Sequence, residues 1–223
     1  EVRPMTDLEV ARLVEFTEAE AYLQHAKLPP SVVHRFGFER KEIGSVVMLL
    51  ATRASRQGFH RVFGLGLNSP TTEAEIDEII QTYRRKDLSC TIRLSPLAQP
   101  PDIRQWLLDR GLVKGDSSAV MYRGTEPVPE VQTSFRIEEV TPSTVALFEK
   151  TFCGAFEIPE ELAPVGMAGL RNWKHYLGFD GKDAVATGAL FVRGDVGWLG
   201  MGGTLLSHRR QGAQGAILSE TTD

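Results

Sequence analysis

Apolar positions recur along the chain in two rhythms. Phe16, Ala19, Leu23 and Ala26 keep helical spacing, whereas Val46–Ala51 and Val62–Leu67 are short apolar runs of strand length. Thr72 followed by Glu75 is a capping box, and Ile76, Ile79, Ile80 and Tyr83 mark the buried face of a helix over 71–85. Cys90, Ile92 and Leu94 alternate as a strand. Pro101 then opens a helix over 101–110 carrying Ile103, Trp106 and Leu107, which Gly111 should end, and Ala119–Tyr122 reads as a further strand.

The pattern breaks at Gly124-Thr125-Glu126-Pro127-Val128-Pro129-Glu130, where prolines and acids deny both helix and central strand. This divides the chain into residues 1–124, a linker over 125–134 and residues 135–223. After the break, Phe135–Ile137 is a strand, and Thr141-Pro142 supplies the cap and first turn of a helix with Val145, Phe148 and Phe152 inward. A weak helix is expected over 159–170, because Gly166 and Gly169 each cost about 1 kcal/mol against alanine. Tyr176–Phe179, Ala184–Val192 and Val196–Met201 follow as strands, the last pair joined by a tight hairpin at Arg193-Gly194-Asp195. The mixture predicts an α/β (α+β) chain with a mixed, largely antiparallel central sheet flanked by helices.

Composition narrows the functions. The 223 residues are 42% hydrophobic and 24% charged, and no window approaches the roughly 18 uninterrupted apolar residues of a membrane span. A net charge of −4 leaves no basic field for wholesale binding of nucleic acid, so any anion site must be local. Cys90 and Cys153 form no C-x-x-C pair and read as reduced thiols, and Glu1-Val2-Arg3-Pro4 has no apolar signal core, so the cytoplasm is the expected location. The histidines His25, His34, His60, His175 and His208 lack H-E-x-x-H spacing, so no metal is expected. Gly115–Ala119 lacks the second glycine of a nucleophile elbow.

The segment Thr204–Leu218 carries unusual chemistry. It is locally basic in an acidic chain, and a strand runs through Arg209-Arg210-Gln211-Gly212-Ala213-Gln214-Gly215 into Ala216-Ile217-Leu218. The first-turn N–H groups of such a helix are unpaired, and small residues give an anion room to approach, so the turn reads as a diphosphate cradle. The helix dipole contributes about 0.3–1 kcal/mol, while each charge-assisted hydrogen bond contributes roughly 1.5–3 kcal/mol, so the amides dominate. Neither a G-x-G-x-x-G fingerprint nor a G-K-[ST] phosphate loop is present.

This segment resembles the acyl-CoA motif Q/R-x-x-G-x-G/A of the GCN5-related N-acetyltransferases. Arg209 and Gly212 match it, Arg210 stands where that family usually has glycine, and Gln214 stands at its final small position. The order from Phe135 to Met201 is also similar to the family's strand–helix–helix–strand–strand–strand. The resemblance implies an acyl-CoA N-acyltransferase-like fold, with acetyl-CoA as cosubstrate. Gly202, Gly203 and Thr204 would hold the pantetheine arm and acyl carbonyl, and the amides from Arg210 to Gly215, including Gln211 and Ala213, would hold the pyrophosphate. Arg209 and Arg210 would reach the 3′-phosphate or solvent. The first half looks like a relative entering at the family's fourth strand, with a degenerate turn at Asn68–Glu75 where Pro70 lacks an N–H and acids repel phosphate. The chain thus resembles a tandem acetyltransferase of two pseudo-repeated halves.

An aliphatic ammonium must give up about 4–5 kcal/mol to be deprotonated at pH 7. The strand Val196–Met201 holds no carboxylate, and Glu157, Glu160, Glu161, Asp195 and His208 read as solvated or capping residues, so no catalytic base is named. The family's tyrosine acid has no counterpart before Asp223, which makes the second half incomplete at its C-terminus; Glu220–Asp223 reads as a strand end and suggests a break after Ser219. Trp173, His175, Tyr176 and Phe179 are either core or an acceptor pocket. The expected function is acetyl transfer to a small-molecule or peptide amine, with a homodimer left open. The alternative is a non-catalytic acyl-CoA-binding or protein-interaction module on the same fold.

Overall fold

The structure, a computed structural model, describes residues 3–54, 60–124, 126, 131–163 and 167–221. Among the linker residues, 125 and 127–130 lie outside this set, as do Gly166 and the terminal pair Thr222-Asp223. The chain divides into two compact units, Glu1–Tyr122 and Arg123–Asp223.

In the first unit, α1 (Asp7–Leu23) starts behind a capping box: the Glu9 N–H donates to Thr6 Oγ1 at 3.3 Å, and the Thr6 N–H to Glu9 Oε2 at 2.8 Å. After a 3₁₀ turn over Gln24–Lys27, α2 (Pro30–Phe36) ends at Gly37, whose φ of 65° suits glycine. Strands β1 (Phe38–Ile43), β2 (Val46–Ala51) and β3 (Arg61–Phe63) form an antiparallel sheet in that order. Helix α3 (Glu73–Arg84) buries Ile76, Ile79, Ile80 and Tyr83, as its periodicity predicts. The Tyr83 hydroxyl finds the carbonyls of Leu49 and Arg61, at 3.3 and 3.2 Å. Helix α4 (Ile103–Asp109) completes the unit.

Several expectations for this half are corrected. The run Val62–Leu67 stops pairing at Phe63, because Gly64 turns the chain with φ 78°. Cys90–Leu94 is not a strand: Ile92 makes a single parallel bridge to Val62, and the alternation of Cys90, Ile92 and Leu94 reflects packing against the core beside a strand too short for a longer ladder. Ala119–Tyr122 is irregular, with Met121 89% exposed, since no neighbouring strand edge takes it. Two helices and a hairpin precede β3.

In the second unit, β4 (Arg136–Glu139), β5 (Trp173–Asp180), β6 (Asp183–Arg193) and β7 (Val196–Thr204) form an antiparallel sheet in that order. Helix α5 (Val145–Phe156) packs Phe148 on Leu177 and Phe179, while α6 (Ala213–Thr221) packs Ala213 and Ile217 against Phe135, Tyr176, Val185 and Ala186. The sheet thus lies between the two helices. The helix α5 begins at Val145, not at Thr141-Pro142: Thr141 and Thr144 close a preceding turn, the Thr144 N–H donating to the Thr141 carbonyl at 2.9 Å. The helix expected over 159–170 is replaced by 3₁₀ turns at Glu160–Leu162 and Met167–Gly169, as Pro159 is extended. The helix α6 runs unbroken through Ser219 and Glu220 to Thr221, whose hydroxyl bonds the Leu218 carbonyl at 3.0 Å, so neither a strand end nor a break lies there.

Candidate functional site

Between β6 and β7 the register slips. Thr187 faces Gly203 and Ala189 faces Gly200, so Met201 and Gly202 together oppose Gly188. This is a β-bulge: Met201 takes φ 53°, and its carbonyl accepts the Thr187 hydroxyl at 2.8 Å. The bulge re-aims the end of β7 toward the C-terminus of α5. A Cβ on Gly203 would lie 2.8 Å from the Phe156 ring and 2.9 Å from Ala155 Cβ, so this approach requires glycine.

Beyond β7, a 3₁₀ turn at Leu206–His208 leads through Arg210, with φ 62°, and Gly212, with φ 92°, into α6. Arg210 holds a left-handed conformation that strains a side-chain-bearing residue. The turn bounds a cavity of about 410 Å³ lined by Ala155, Phe156, Gly202, Gly203, Thr204, His208, Arg209, Arg210, Gly212, Ala213, Gln214 and Gly215. Among the described residues, the main-chain N–H groups of Arg210, Gly212, Ala213, Gln214 and Gly215 donate to no protein acceptor, while Gln211 closes a turn that covers Arg210. The residues therefore fit an anionic group: open helix-terminal donors, a glycine turn and a cation at one concave surface.

Of the residues predicted to bind cofactor, Gly202, Gly203, Thr204, Arg209, Arg210, Gly212, Ala213, Gln214 and Gly215 meet at this cavity, and Gln211 does not. Gln211 is exposed and donates to the Ser207 carbonyl at 3.2 Å. Arg209 lines the cavity with a partly exposed side chain. Its guanidinium donates through Nε to the Thr204 carbonyl at 3.0 Å and through Nη2 to the Ala155 carbonyl at 3.0 Å, tying the end of β7 to the last turn of α5. Arg210 is exposed, lines the cavity and has no such partner among the described residues.

The sequence reading misses Ala155 and Phe156, which reach the cavity through tertiary packing. His208, set aside there as solvated or capping, also lines it. Its Nδ1 is 2.8 Å from Ser207 Oγ and its Nε2 3.5 Å from Asp180 Oδ2. Glu157, Glu160, Glu161 and Asp195 are exposed and absent from the lining. Trp173, His175, Tyr176 and Phe179 are core, all under 9% exposed. His175 packs its edge against Phe148 at 5.0 Å, and neither ring nitrogen has a hydrogen-bond partner among the described residues. Burial pushes its pKa down to about 4, so it is neutral at pH 7. Among the described residues no cluster of three or more His, Cys, Asp or Glu could hold a metal ion, and no helix is long and apolar enough to cross a membrane.

A GCN5-related N-acetyltransferase from Kribbella flavida matches 96% of this chain and 80% of its own, with a TM-score of 0.59 at 20% identity. A putative acetyltransferase from Pyrococcus horikoshii covers 41% of this chain and 34% of its own, at 17% identity and a TM-score of 0.35. An aminoglycoside acetyltransferase from an uncultured soil metagenomic sample covers 40% of this chain and 70% of its own, at 19% identity and 0.35. These last two scores are too low to carry an argument. No family model matches the sequence, and no curated protein matches it. The first likeness establishes the fold: mixed α+β, with antiparallel sheets flanked by helices, as in the GCN5-related N-acetyltransferases.

Proposed function

We propose that the protein is an acyl-CoA-dependent N-acetyltransferase that moves an acetyl group from acetyl-CoA to an amine of a small molecule or peptide. The observation carrying this reading is the set of main-chain N–H groups at Arg210 and Gly212–Gly215 that, among the described residues, meet no protein acceptor beside the cavity at the bulged end of β7. Acetyl-CoA supplies the activated acyl group as a thioester. The amides of Arg210 and Gly212–Gly215 hold its diphosphate, Arg210 adds a positive charge, and Gly202, Gly203 and Thr204 present backbone to its arm. Phe156 and Ala155 form an apolar wall. Holding thioester and amine in one orientation contributes up to roughly 7–11 kcal/mol.

No base is assigned. His208 is the lining side chain able to take a proton from the amine, and its contacts with Ser207 and Asp180 fix its orientation, so it is the first residue to substitute. Neither Cys90 nor Cys153 forms a disulfide, which suits a reducing compartment such as the cytoplasm. Calorimetric titration with acetyl-CoA and CoA, followed by thiol release across amine pools, tests the reading. Binding with release supports transfer; binding without release for any amine would assign a non-catalytic acyl-CoA-binding module instead; no binding would remove both.

A further inference from the structure

Gln214 occupies the motif position where a small residue is expected, and its carboxamide is oriented without ambiguity. Nε2 lies 2.9 Å from the Gly203 carbonyl, 3.2 Å from the Thr187 carbonyl and 3.0 Å from Thr204 Oγ1. Carbonyl oxygens accept and never donate, so the NH₂ end must face them. The oxygen is thereby held on the other side. Oε1 lies 2.8 Å from the point a Cβ on Gly202 would occupy, and Gln214 and Gly202 both line the cavity. No donor among the described residues reaches Oε1, although the side chain is half-buried.

The rest of this wall is rich in donors: the amides of Arg210 and Gly212–Gly215 and the Arg210 guanidinium. A fixed, half-buried acceptor among them calls for a ligand that brings an N–H of its own, because an unmet acceptor is costly once water leaves. Its place is between the strand end at Gly202 and the phosphate turn at Gly212. Resting on the acyl-CoA reading above, we infer that Gln214 Oε1 accepts a hydrogen bond from an amide N–H of the pantetheine arm. The side chain thus selects for a ligand with an amide-bearing arm, while the backbone turn reads only phosphate.

The test is a binding cycle by calorimetry. Wild type and Gln214→Met are titrated with CoA, with 3′-phospho-ADP, which lacks the arm, and with CoA analogues in which one or the other arm N–H is replaced by CH₂. Gln214→Met should weaken CoA binding ~10-fold and leave 3′-phospho-ADP unchanged. One CH₂ analogue should bind wild type ~10-fold more weakly than CoA, yet bind the variant as well as CoA does. Equal losses for CoA and 3′-phospho-ADP, tighter CoA binding by the variant, or independent losses from variant and analogue would overturn the inference. If the variant does not fold, the analogues still decide it on wild type, where no loss for either overturns it. Wild type that binds CoA without this coupling defeats the Gln214 role alone, whereas wild type that binds no CoA defeats the acyl-CoA reading with it.

Discussion

The turn after β3 and the turn after β7 hold the same place in their units, each leading from the last strand of its antiparallel sheet into a helix. Their chemistry is opposite. After β3, Thr72 Oγ1 accepts the Glu75 N–H at 3.2 Å and Glu75 Oε2 accepts the Thr72 N–H at 2.7 Å, while the Thr71 N–H goes to the Gln99 carbonyl at 2.9 Å. Even the strand-end amide of Gly64 is taken, by the buried Glu15 carboxylate at 3.0 Å. After β7 the corresponding donors meet no acceptor among the described residues, glycine stands at the turn, and arginine replaces the acids. One topology therefore yields a closed helix end and an open one, and the difference lies in which side chain sits three residues into the helix. A helix N-terminus binds an anion only where its own sequence leaves it uncapped.

The severest way to break the contrast is to give the second turn the first turn's cap. Gly215→Glu, which sets the first turn's third-residue carboxylate at the open helix end while Gly212 keeps its φ of 92°, should lower CoA affinity by about 100-fold, as the carboxylate takes an amide and repels phosphate. Calorimetry measures this, with circular dichroism confirming the fold.

A second contrast concerns buried histidines. His60 Nδ1 accepts the Ala51 N–H at 3.3 Å, whereas His175 has no partner among the described residues. Burial lowers the folded pKa of His175 from the ordinary imidazole value of about 6.5 to about 4, so the unfolded chain binds the extra proton between those values. Its contribution is present above pH 6.5 and lost as pH falls to about 4. The loss should be roughly 2–3 kcal/mol, and His175→Phe should remove that part of the slope in urea unfolding.

The adjacent arginines should separate in their effects. Arg209→Met should cost roughly 1.5–3 kcal/mol of unfolding free energy, because two backbone carbonyls lose a charged donor. Arg210→Ala should leave stability nearly unchanged and weaken CoA ~5-fold, with a shallower salt dependence. In the first unit, Thr72→Ala should cost about 1 kcal/mol in thermal unfolding and leave CoA binding untouched, the smallest effect and the control for the others.

The sequence alone determined what depends on near neighbours. The helix α3, its cap and its buried face are written in residues three or four apart, and the phosphate turn is legible because glycine, small residues and basic charge fall within one short segment. Tertiary structure decided what depends on distant partners. Strand length was one such matter: Val62–Leu67 and Cys90–Leu94 alternate or run apolar enough for strands, yet a ladder extends only as far as a neighbouring edge remains alongside. The fate of the two arginines was another. Arg209 and Arg210 carry the same charge side by side, and only the fold brings the Ala155 carbonyl, 54 residues away, to Arg209 while Arg210 makes no such bond among the described residues. Local spacing fixes which backbone groups are open, because a turn is built from adjacent residues; packing across the sheet fixes which side chains remain free to use them.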